Sequence, residues 1–155
     1  TSSAFALAAW LERHYGWRVP ETWLVWLPGV VPGFNLAARA VAEPGGAIVI
    51  PTPVYYPFLD VPANAGQAGI QVPLCRDGDR WVMDFDALEA ALRPGARLLL
   101  LSNPQNPTGN CWSQADLLRI GEICLKHRVV VLADEIHCDF VNKGQKYTPF
   151  ASLPN

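Results

Sequence analysis

The chain has 155 residues, half of which are apolar and 17% of which are charged. This length and composition are typical of one globular domain with its own hydrophobic core, and they exclude a disordered chain. The formal net charge of −2 offers no basic surface for nucleic acid or for an anionic membrane. No run of the sequence approaches the roughly 18–20 apolar residues that are needed to cross a bilayer.

The four cysteines contain no C-x-x-C pair, so the sequence indicates neither a zinc site nor a thioredoxin-like site, and no metal is expected. The mildly apolar opening segment lacks a basic leader and continues directly into Glu12, Arg13 and His14. We interpret it as an amphipathic helix rather than as a signal peptide. Reduced thiols in a cytoplasmic protein are therefore the expected state.

The first part of the chain alternates between helical and strand-like patterns. Residues 4–15 are predicted to form a helix that Gly16 ends. Residues 23–27 are predicted to form a strand, after which Pro28 and Gly29 turn the chain. Pro32 suits the first turn of a second helix. The apolar residues that recur at helical spacing in this helix are Leu36, Ala37, Ala40 and Val41.

Short apolar runs and helical patterns continue to alternate along the rest of the chain. Strands are predicted at residues 47–50, 69–74, 98–101 and 129–133, with an extended segment at 81–83. Further helices are predicted to begin near Tyr55 or Tyr56, at Asp84, and at Ser113 with Asp116 in its capping box; Pro94 and Gly95 end the second of these. The apolar strands are continuous, which is typical of strands that are buried on both faces. The β-α-β-α order therefore predicts the α/β class, as a three-layer α/β/α fold around a mostly parallel sheet.

Polar residues follow two of the predicted strands. Asn106 lies in a segment with two Asn-Pro pairs after the strand at 98–101, and Asp134 follows the strand at 129–133. Ligands of open α/β sheets bind at the carboxyl ends of the strands, so these two side chains are predicted to hold one flat heteroaromatic cofactor. Two alternatives to a cofactor site stay open: Asn106 only forms part of a turn, or Asp134 pairs with a group of the protein. The doubled Asn-Pro suits a rigid backbone that includes a cis bond.

Three further features point to the same edge of the predicted sheet. The backbone amides of Gly29, Val30 and Val31 precede a helix, where such amides form an anion site. Tyr55 follows the strand at 47–50 and could stack on a planar ring, with an ordinary surface or core aromatic as the alternative. His137 lies three residues after Asp134 and is either a ligand contact or a structural group.

Together these residues resemble the fold-type I pyridoxal 5'-phosphate enzymes, the aspartate aminotransferase superfamily. The resemblance rests on a strand followed by Asn106-Pro107-Thr108-Gly109 and on Asp134 at the end of the next strand. Within the superfamily, four phrases look like the cystathionine β-lyase, or carbon–sulfur lyase, branch. These phrases are Pro28-Gly29-Val30-Val31-Pro32, Thr52-Pro53-Val54-Tyr55-Tyr56-Pro57-Phe58, Asp134-Glu135-Ile136-His137-Cys138-Asp139 and Tyr147-Thr148-Pro149-Phe150-Ala151-Ser152.

The resemblance implies a role for each side chain around the ring of the cofactor. Asp134 would hold the protonated pyridine nitrogen, Asn106 would hydrogen-bond the phenolic oxygen, and Tyr55 would stack on the ring face. The implied reaction is β-elimination from a sulfur amino acid, which gives a thiol, pyruvate and ammonia. A class I/II aminotransferase is the alternative enzyme, because the same residues serve both reactions.

The resemblance also implies a phosphate site and a quaternary structure. Gly29, Val30 and Val31 would give backbone amides to the phosphate. His137 stands where many aminotransferases have a tyrosine, so its contact is left open. Family active sites lie at a subunit interface, so the parent protein is expected to be a cytoplasmic homodimer that acts on a small amino-acid substrate.

The family needs a lysine that forms a Schiff base with the cofactor, within a Ser-x-Ser/Thr-Lys context downstream of the aspartate. Lys143 follows Asp134 too closely and lacks these neighbours, and Lys126 belongs to the preceding helix. Residues 1–155 are therefore expected to be a single partial large domain, without the Schiff-base lysine and without the amino-terminal segment of the small domain. A truncated, non-catalytic binding module is the alternative outside the enzymes.

Overall fold

Helices and strands alternate along the chain in the computed structural model, which describes residues 2–92 and 95–154. The α-helices are α1 (Ser3–Tyr15), α2 (Val30–Val41), α3 (Pro57–Asn64), α4 (Phe85–Leu92) and α5 (Gln114–His127). The strands are β1 (Ala47–Thr52), β2 (Ala68–Pro73), β3 (Cys75–Asp77), β4 (Arg80–Val82), β5 (Ala96–Ser102) and β6 (Val130–Asp134). Short 3-10 helices span Glu21–Trp23 and Phe150–Ser152. The helix end predicted at Pro94 lies outside the described residues.

Four of the strands form one parallel sheet in the order β2-β1-β5-β6. Ser102 at the end of β5 pairs in register with Asp134 at the end of β6. Strands β3 and β4 form a separate antiparallel hairpin. The parallel sheet predicted from the β-α-β-α order is therefore confirmed, and the carboxyl ends of its four strands lie along one edge.

Apolar clusters cover both faces of the sheet. On one face Leu100 of β5 packs with Phe34 of α2 and Phe58 of α3. On the other face Leu99 packs in a cluster that includes Leu117 of α5. Because successive side chains of a strand point to opposite faces, the leucine run of β5 supplies both clusters. The predicted three-layer α/β/α arrangement is confirmed.

The caps predicted for two helices are also confirmed. Gly16 ends α1 in the left-handed conformation, with a φ of 66°. At the start of α5, the backbone N–H of Asp116 donates to Ser113 Oγ at 3.1 Å, and the backbone N–H of Ser113 donates to Asp116 Oδ2 at 3.2 Å. Aspartate thus occupies the capping-box position that glutamate or glutamine usually holds.

The strand predicted at residues 23–27 is wrong. A 3-10 turn ends at Trp23, and residues 24–27 then pair with no strand in the part of the chain that the structure describes. The side chain of Trp23 is 70% exposed. An apolar run becomes a strand only where a neighbouring strand offers partners for its backbone N–H and C=O groups, and these residues lie outside the sheet.

The burial predicted for the strand at 129–133 is also wrong. Strand β6 has β5 as its only neighbour among the described strands, and Val130 is 49% exposed. The apolar run correctly predicts a parallel strand, but the burial of a strand depends on the elements beside it, which the run itself does not specify.

Candidate functional site

The carboxyl ends of β5 and β6 border a cavity of about 420 Å³. The residues that line it are Val30, Val31, Phe34, Tyr55, Ser102, Asn106, Asp134, Ile136 and His137. The fold thus brings together six of the seven residues that the sequence predicts for one site. The seventh, Gly29, lines an adjoining cavity of about 380 Å³ that shares Val30, Phe34 and Asp134 with the first.

The amino terminus of α2 forms one wall of the cavity. Gly29 is the residue before the helix, and its φ of 151° is a conformation that residues with a side chain rarely adopt. The N–H of Gly33 donates to the carbonyl of Gly29 at 3.0 Å, whereas the N–H groups of Val30 and Val31 have no acceptor among residues 2–92 and 95–154. Free N–H groups at a helix amino terminus, together with the helix dipole, form a site for an anion.

Asn106 is held in place through the end of β5. Its backbone N–H donates to Ser102 Oγ at 3.2 Å, and Ser102 Oγ donates in turn to the carbonyl of Pro104 at 3.0 Å. The indole N–H of Trp112 donates to the carbonyl of Ser102 at 2.9 Å. Both Asn-Pro bonds of the segment are cis. The side-chain amide of Asn106 makes no hydrogen bond within the described part of the chain, so it is available to a ligand.

Asp134 places a carboxylate at the end of β6, beside the end of β5. The backbone N–H of Ile136 donates to its Oδ1 at 3.1 Å. Burial raises the pKa of Asp134 above its ordinary value, while the bond from Ile136 and the nearby His137 act in the opposite direction. A half-buried carboxylate with so little compensation favours a positively charged partner in the cavity. A protonated ring nitrogen has the required charge and an N–H to donate.

Tyr55 and His137 complete the walls of the cavity. Tyr55 is half-buried, and its carbonyl accepts a bond from the N–H of Phe58 at 3.0 Å, which fixes it at the start of α3. The neighbouring Tyr56 is exposed, so Tyr55 is the member of the pair that borders the cavity. The ring of His137 lies 6.4 Å from the ring of Phe140, between centroids. No described contact assigns His137 a role.

Glu135 connects the end of β6 to the segment at Phe150, and the sequence does not predict this role. Its Oε1 accepts bonds from the backbone N–H of Phe150 at 2.8 Å and from Nδ2 of Asn103 at 3.3 Å. Burial raises the pKa of Glu135, and hydrogen bonds from Phe150, Tyr147 and Asn103 counteract that rise. The backbone N–H of Asn103 also donates to the carbonyl of Asp134 at 2.9 Å, so this network fixes the backbone that carries Asp134.

Three residues of the cavity wall were not predicted: Phe34, Ser102 and Ile136. Phe34 lies one helical turn after Val30 and Val31, so helical spacing from the predicted amides would have indicated it. Ser102 is the last residue of β5, where a small polar side chain can bond the loop that follows. Nothing in the sequence distinguishes Ile136 from an ordinary apolar residue.

Several kinds of group are missing from the described part of this site. None of the three lysines of the chain borders the cavity; Lys126 Nζ lies 2.7 Å from Glu89 Oε1, on a different part of the fold. Among residues 2–92 and 95–154, no group of three His, Cys, Asp or Glu side chains is placed to bind a metal ion. None of the described helices is long and apolar enough to cross a membrane.

Comparison with known families places this geometry in context. Residues 3–153 match the family described as "Aminotransferase class I and II". The chain is 41% identical over 149 residues to the cystathionine β-lyase PatB of Bacillus subtilis, a match that covers 96% of this chain and 38% of PatB.

Solved structures of the same fold cover a similar share of their own chains. The pyridoxal phosphate-bound C–S lyase from Staphylococcus hominis matches with a TM-score of 0.92 and 29% identity, over 98% of this chain and 40% of the lyase. N-succinyldiaminopimelate aminotransferase from Mycobacterium tuberculosis matches with a TM-score of 0.91 and 32% identity, over 97% and 39% of the two chains. The chain therefore spans about two fifths of the length of these relatives.

Proposed function

This chain belongs to the aminotransferase class I and II family, and we propose that it forms part of a pyridoxal 5'-phosphate-dependent carbon–sulfur β-lyase. The observation that carries the proposal is that Asn106, Asp134 and the amino terminus of α2 border one cavity. Their groups complement the cofactor at three separate points. Taken alone, Asn106 could be explained as part of a turn and Asp134 as part of an ion pair within the protein, but neither explanation accounts for their common cavity. The whole protein is proposed to convert a sulfur amino acid and water into a thiol, pyruvate and ammonia.

The residues present fit this cofactor. Two N–H groups without acceptors, those of Val30 and Val31, suit its phosphate. The carboxylate of Asp134, whose pKa is raised by burial, suits the protonated ring nitrogen of the cofactor. The free amide of Asn106 suits its phenolic oxygen, and the ring of Tyr55 suits its flat face.

Each of these residues would contribute a distinct physical effect to the reaction. When bound, pyridoxal phosphate supplies an electron-accepting ring for the electrons that are left at Cα after loss of its proton. Asp134 would keep the ring nitrogen protonated, because its negative charge would stabilise the positive one in a half-buried site, where charges are screened less than in bulk water. Asn106 would donate a hydrogen bond to the phenolic oxygen and fix the in-plane orientation. Tyr55 would limit tilting of the ring, and the helix amides would anchor the phosphate.

We also propose that the lysine which bonds the cofactor comes from outside these 155 residues. Lys126 is engaged by Glu89, and Lys143 and Lys146 are exposed and do not border the cavity. Borohydride reduction of the cofactor-loaded full-length protein, followed by peptide mapping, should leave all three lysines unlabelled. Stoichiometric labelling of any one of them would contradict this proposal.

The lyase reaction is favoured over amino transfer because PatB and the Staphylococcus hominis enzyme carry lyase names. The Mycobacterium tuberculosis neighbour supports an aminotransferase as the second candidate. With cystathionine as substrate, the full-length protein should release pyruvate and thiol in equal amounts. Both products can be measured in one sample by a dehydrogenase-coupled assay for pyruvate and a thiol reagent. If transfer of the amino group to an added oxo acid is the faster reaction, the aminotransferase is correct instead.

The remaining expectations stay part of this proposal. We propose that the chain is a partial large domain of a homodimeric cytoplasmic enzyme with a small amino-acid substrate and no nucleic-acid partner. The four cysteines are all unpaired, which fits a reducing compartment. The share of the relatives that this chain covers, about two fifths, fits a partial domain. Size-exclusion chromatography with light scattering on the full-length protein tests the homodimer, and a monomer would contradict it.

A further inference from the structure

Gln105 connects two walls of the cavity without lining it. Its side chain is 1% exposed, and its Nε2 donates to the carbonyl of Pro53 at 2.7 Å across a sequence separation of 52 residues. Its backbone is fixed as well, because its N–H donates to the carbonyl of Asn110 at 2.8 Å and its carbonyl accepts from the N–H of Gly109 at 2.8 Å. Gln105 is therefore a rigid bridge between the segment after β5 and the segment after β1.

The two ends of this bridge carry the residues proposed for the two sides of the cofactor. Asn106 follows Gln105 directly, and Tyr55 lies two residues after Pro53. On its other side Tyr55 is fixed by the bond from Phe58 to its carbonyl. The hydrogen bond from Gln105 is the only described side-chain bond to the stretch between the end of β1 and Tyr55.

We propose that Gln105 is a positioning residue that sets the distance between Tyr55 and Asn106 and so the width of the cofactor cavity. This inference rests on the function proposed above. Without this bond, the carbonyl of Pro53 loses its donor and the loop before α3 gains freedom. The ring of Tyr55 is then no longer held at one distance from the side-chain amide of Asn106.

Gln67 offers a matched control for the experiment. Its Nε2 also donates to backbone carbonyls, that of Glu43 at 2.8 Å and that of Gly66 at 3.2 Å. Its Oε1 is buried without a partner, as is that of Gln105. It lies just before β2, at the edge of the sheet opposite to the cavity. Gln105→Met and Gln67→Met each remove one such donor while keeping an unbranched side chain of similar length.

In the full-length protein, Gln105→Met should weaken the binding of pyridoxal 5'-phosphate about tenfold, the usual effect of losing one such hydrogen bond. In the cofactor-free protein it should speed amide hydrogen exchange at Phe58, whose N–H donates to the carbonyl of Tyr55, by about the same factor. The circular dichroism of the bound cofactor should also change. Gln67→Met should leave all three quantities within about twofold of the unmodified protein.

Equal effects of the two variants, or no effect of Gln105→Met on binding and exchange, would overturn the inference. A failure of the unmodified protein to bind the cofactor would instead refute the proposed function, and the exchange measurement would still test the bridge. Gln105→Glu provides a second variant, because only a protonated carboxyl can donate to Pro53. Its loss of cofactor affinity relative to the unmodified protein should shrink as the pH is lowered, and a constant ratio would also overturn the inference.

Discussion

Replacing Asp134 by alanine in the full-length protein should lower kcat/KM for thiol release from cystathionine about a thousandfold. The proposed reason is that the half-buried carboxylate would form a charge pair with the protonated ring nitrogen. Removing one member of such a pair costs roughly 3–5 kcal/mol, and each 1.36 kcal/mol corresponds to a tenfold change in rate. The rate of pyruvate release at limiting substrate measures the effect.

The exposed carboxylate of Asp86, in the first turn of α4, offers a matched control. Asp86→Ala removes the same group far from the cavity and should leave kcat/KM within about twofold of the unmodified protein. If Asp134→Ala shows an equally small effect and an unchanged cofactor absorbance, Asp134 does not hold the ring nitrogen. The alternative from the sequence, in which Asp134 pairs with a group of the protein itself, would then be favoured.

The pH dependence of stability tests the same carboxylate without the cofactor. Burial raises the pKa of Asp134 in the folded protein above that in the unfolded chain. Between these two pKa values the folded state retains a proton that the unfolded chain has released, so stability falls as the pH rises through this window. Asp134→Asn lacks this penalty. The cofactor-free variant should therefore melt at a higher temperature than the unmodified protein at neutral pH, with a smaller difference in acid.

The cofactor should reverse this order, because in the proposed site its positive ring nitrogen would stabilise the ionised Asp134 and not the amide of the Asp134→Asn variant. Saturating pyridoxal 5'-phosphate should raise the melting temperature of the unmodified protein more than that of the variant. A carboxylate that destabilises the empty fold and stabilises the loaded one is typical of a site built for a ligand. This interpretation would be contradicted if the unmodified protein and Asp134→Asn melted at the same temperature both without and with the cofactor.

The sequence predicts the neighbourhood of Asn106 and Asp134 for a simple geometric reason. Continuous apolar runs indicate parallel strands, and parallel strands that are adjacent end along the same edge. The register Ser102 to Asp134 then places the two polar segments side by side. The amino terminus of α2 is predictable in the same way, because a glycine between an extended segment and a helix indicates where free N–H groups lie.

Other parts of the site depend on contacts that no local pattern encodes. The bond from Gln105 to Pro53 joins residues that are 52 positions apart, and the bonds of Glu135 depend on where residues 147–150 pack. The edge position of β6 depends on which strands lie beside it. An apolar run predicts that a segment will be buried or paired, but only the assembled fold determines which element buries it or pairs with it. For residues 23–27 the sequence therefore predicts a strand, although none of the described strands pairs with them.

The second large effect is expected at Trp112, which connects the core to the site. Its side chain is 1% exposed, and its indole N–H donates to the carbonyl of Ser102, the residue that in turn holds Asn106. Trp112→Ala should lower the free energy of unfolding by about 5 kcal/mol. Truncating a buried aromatic costs about 3–5 kcal/mol, and a carbonyl left without its donor adds about 1–3 kcal/mol. Urea denaturation of the cofactor-free full-length protein measures the change.

Trp112→Phe helps to separate the two contributions, because phenylalanine keeps one aromatic ring and loses the N–H donor together with the second ring. It should cost about 2–3 kcal/mol, which combines the missing hydrogen bond with a smaller loss of packing than in Trp112→Ala. It should also weaken cofactor binding more than its loss of stability alone explains, since Ser102 positions Asn106. A cost below about 1 kcal/mol for Trp112→Ala would contradict the role in the core. Equal costs for the two variants would show that the hydrogen bond to Ser102, rather than apolar packing, makes Trp112 necessary.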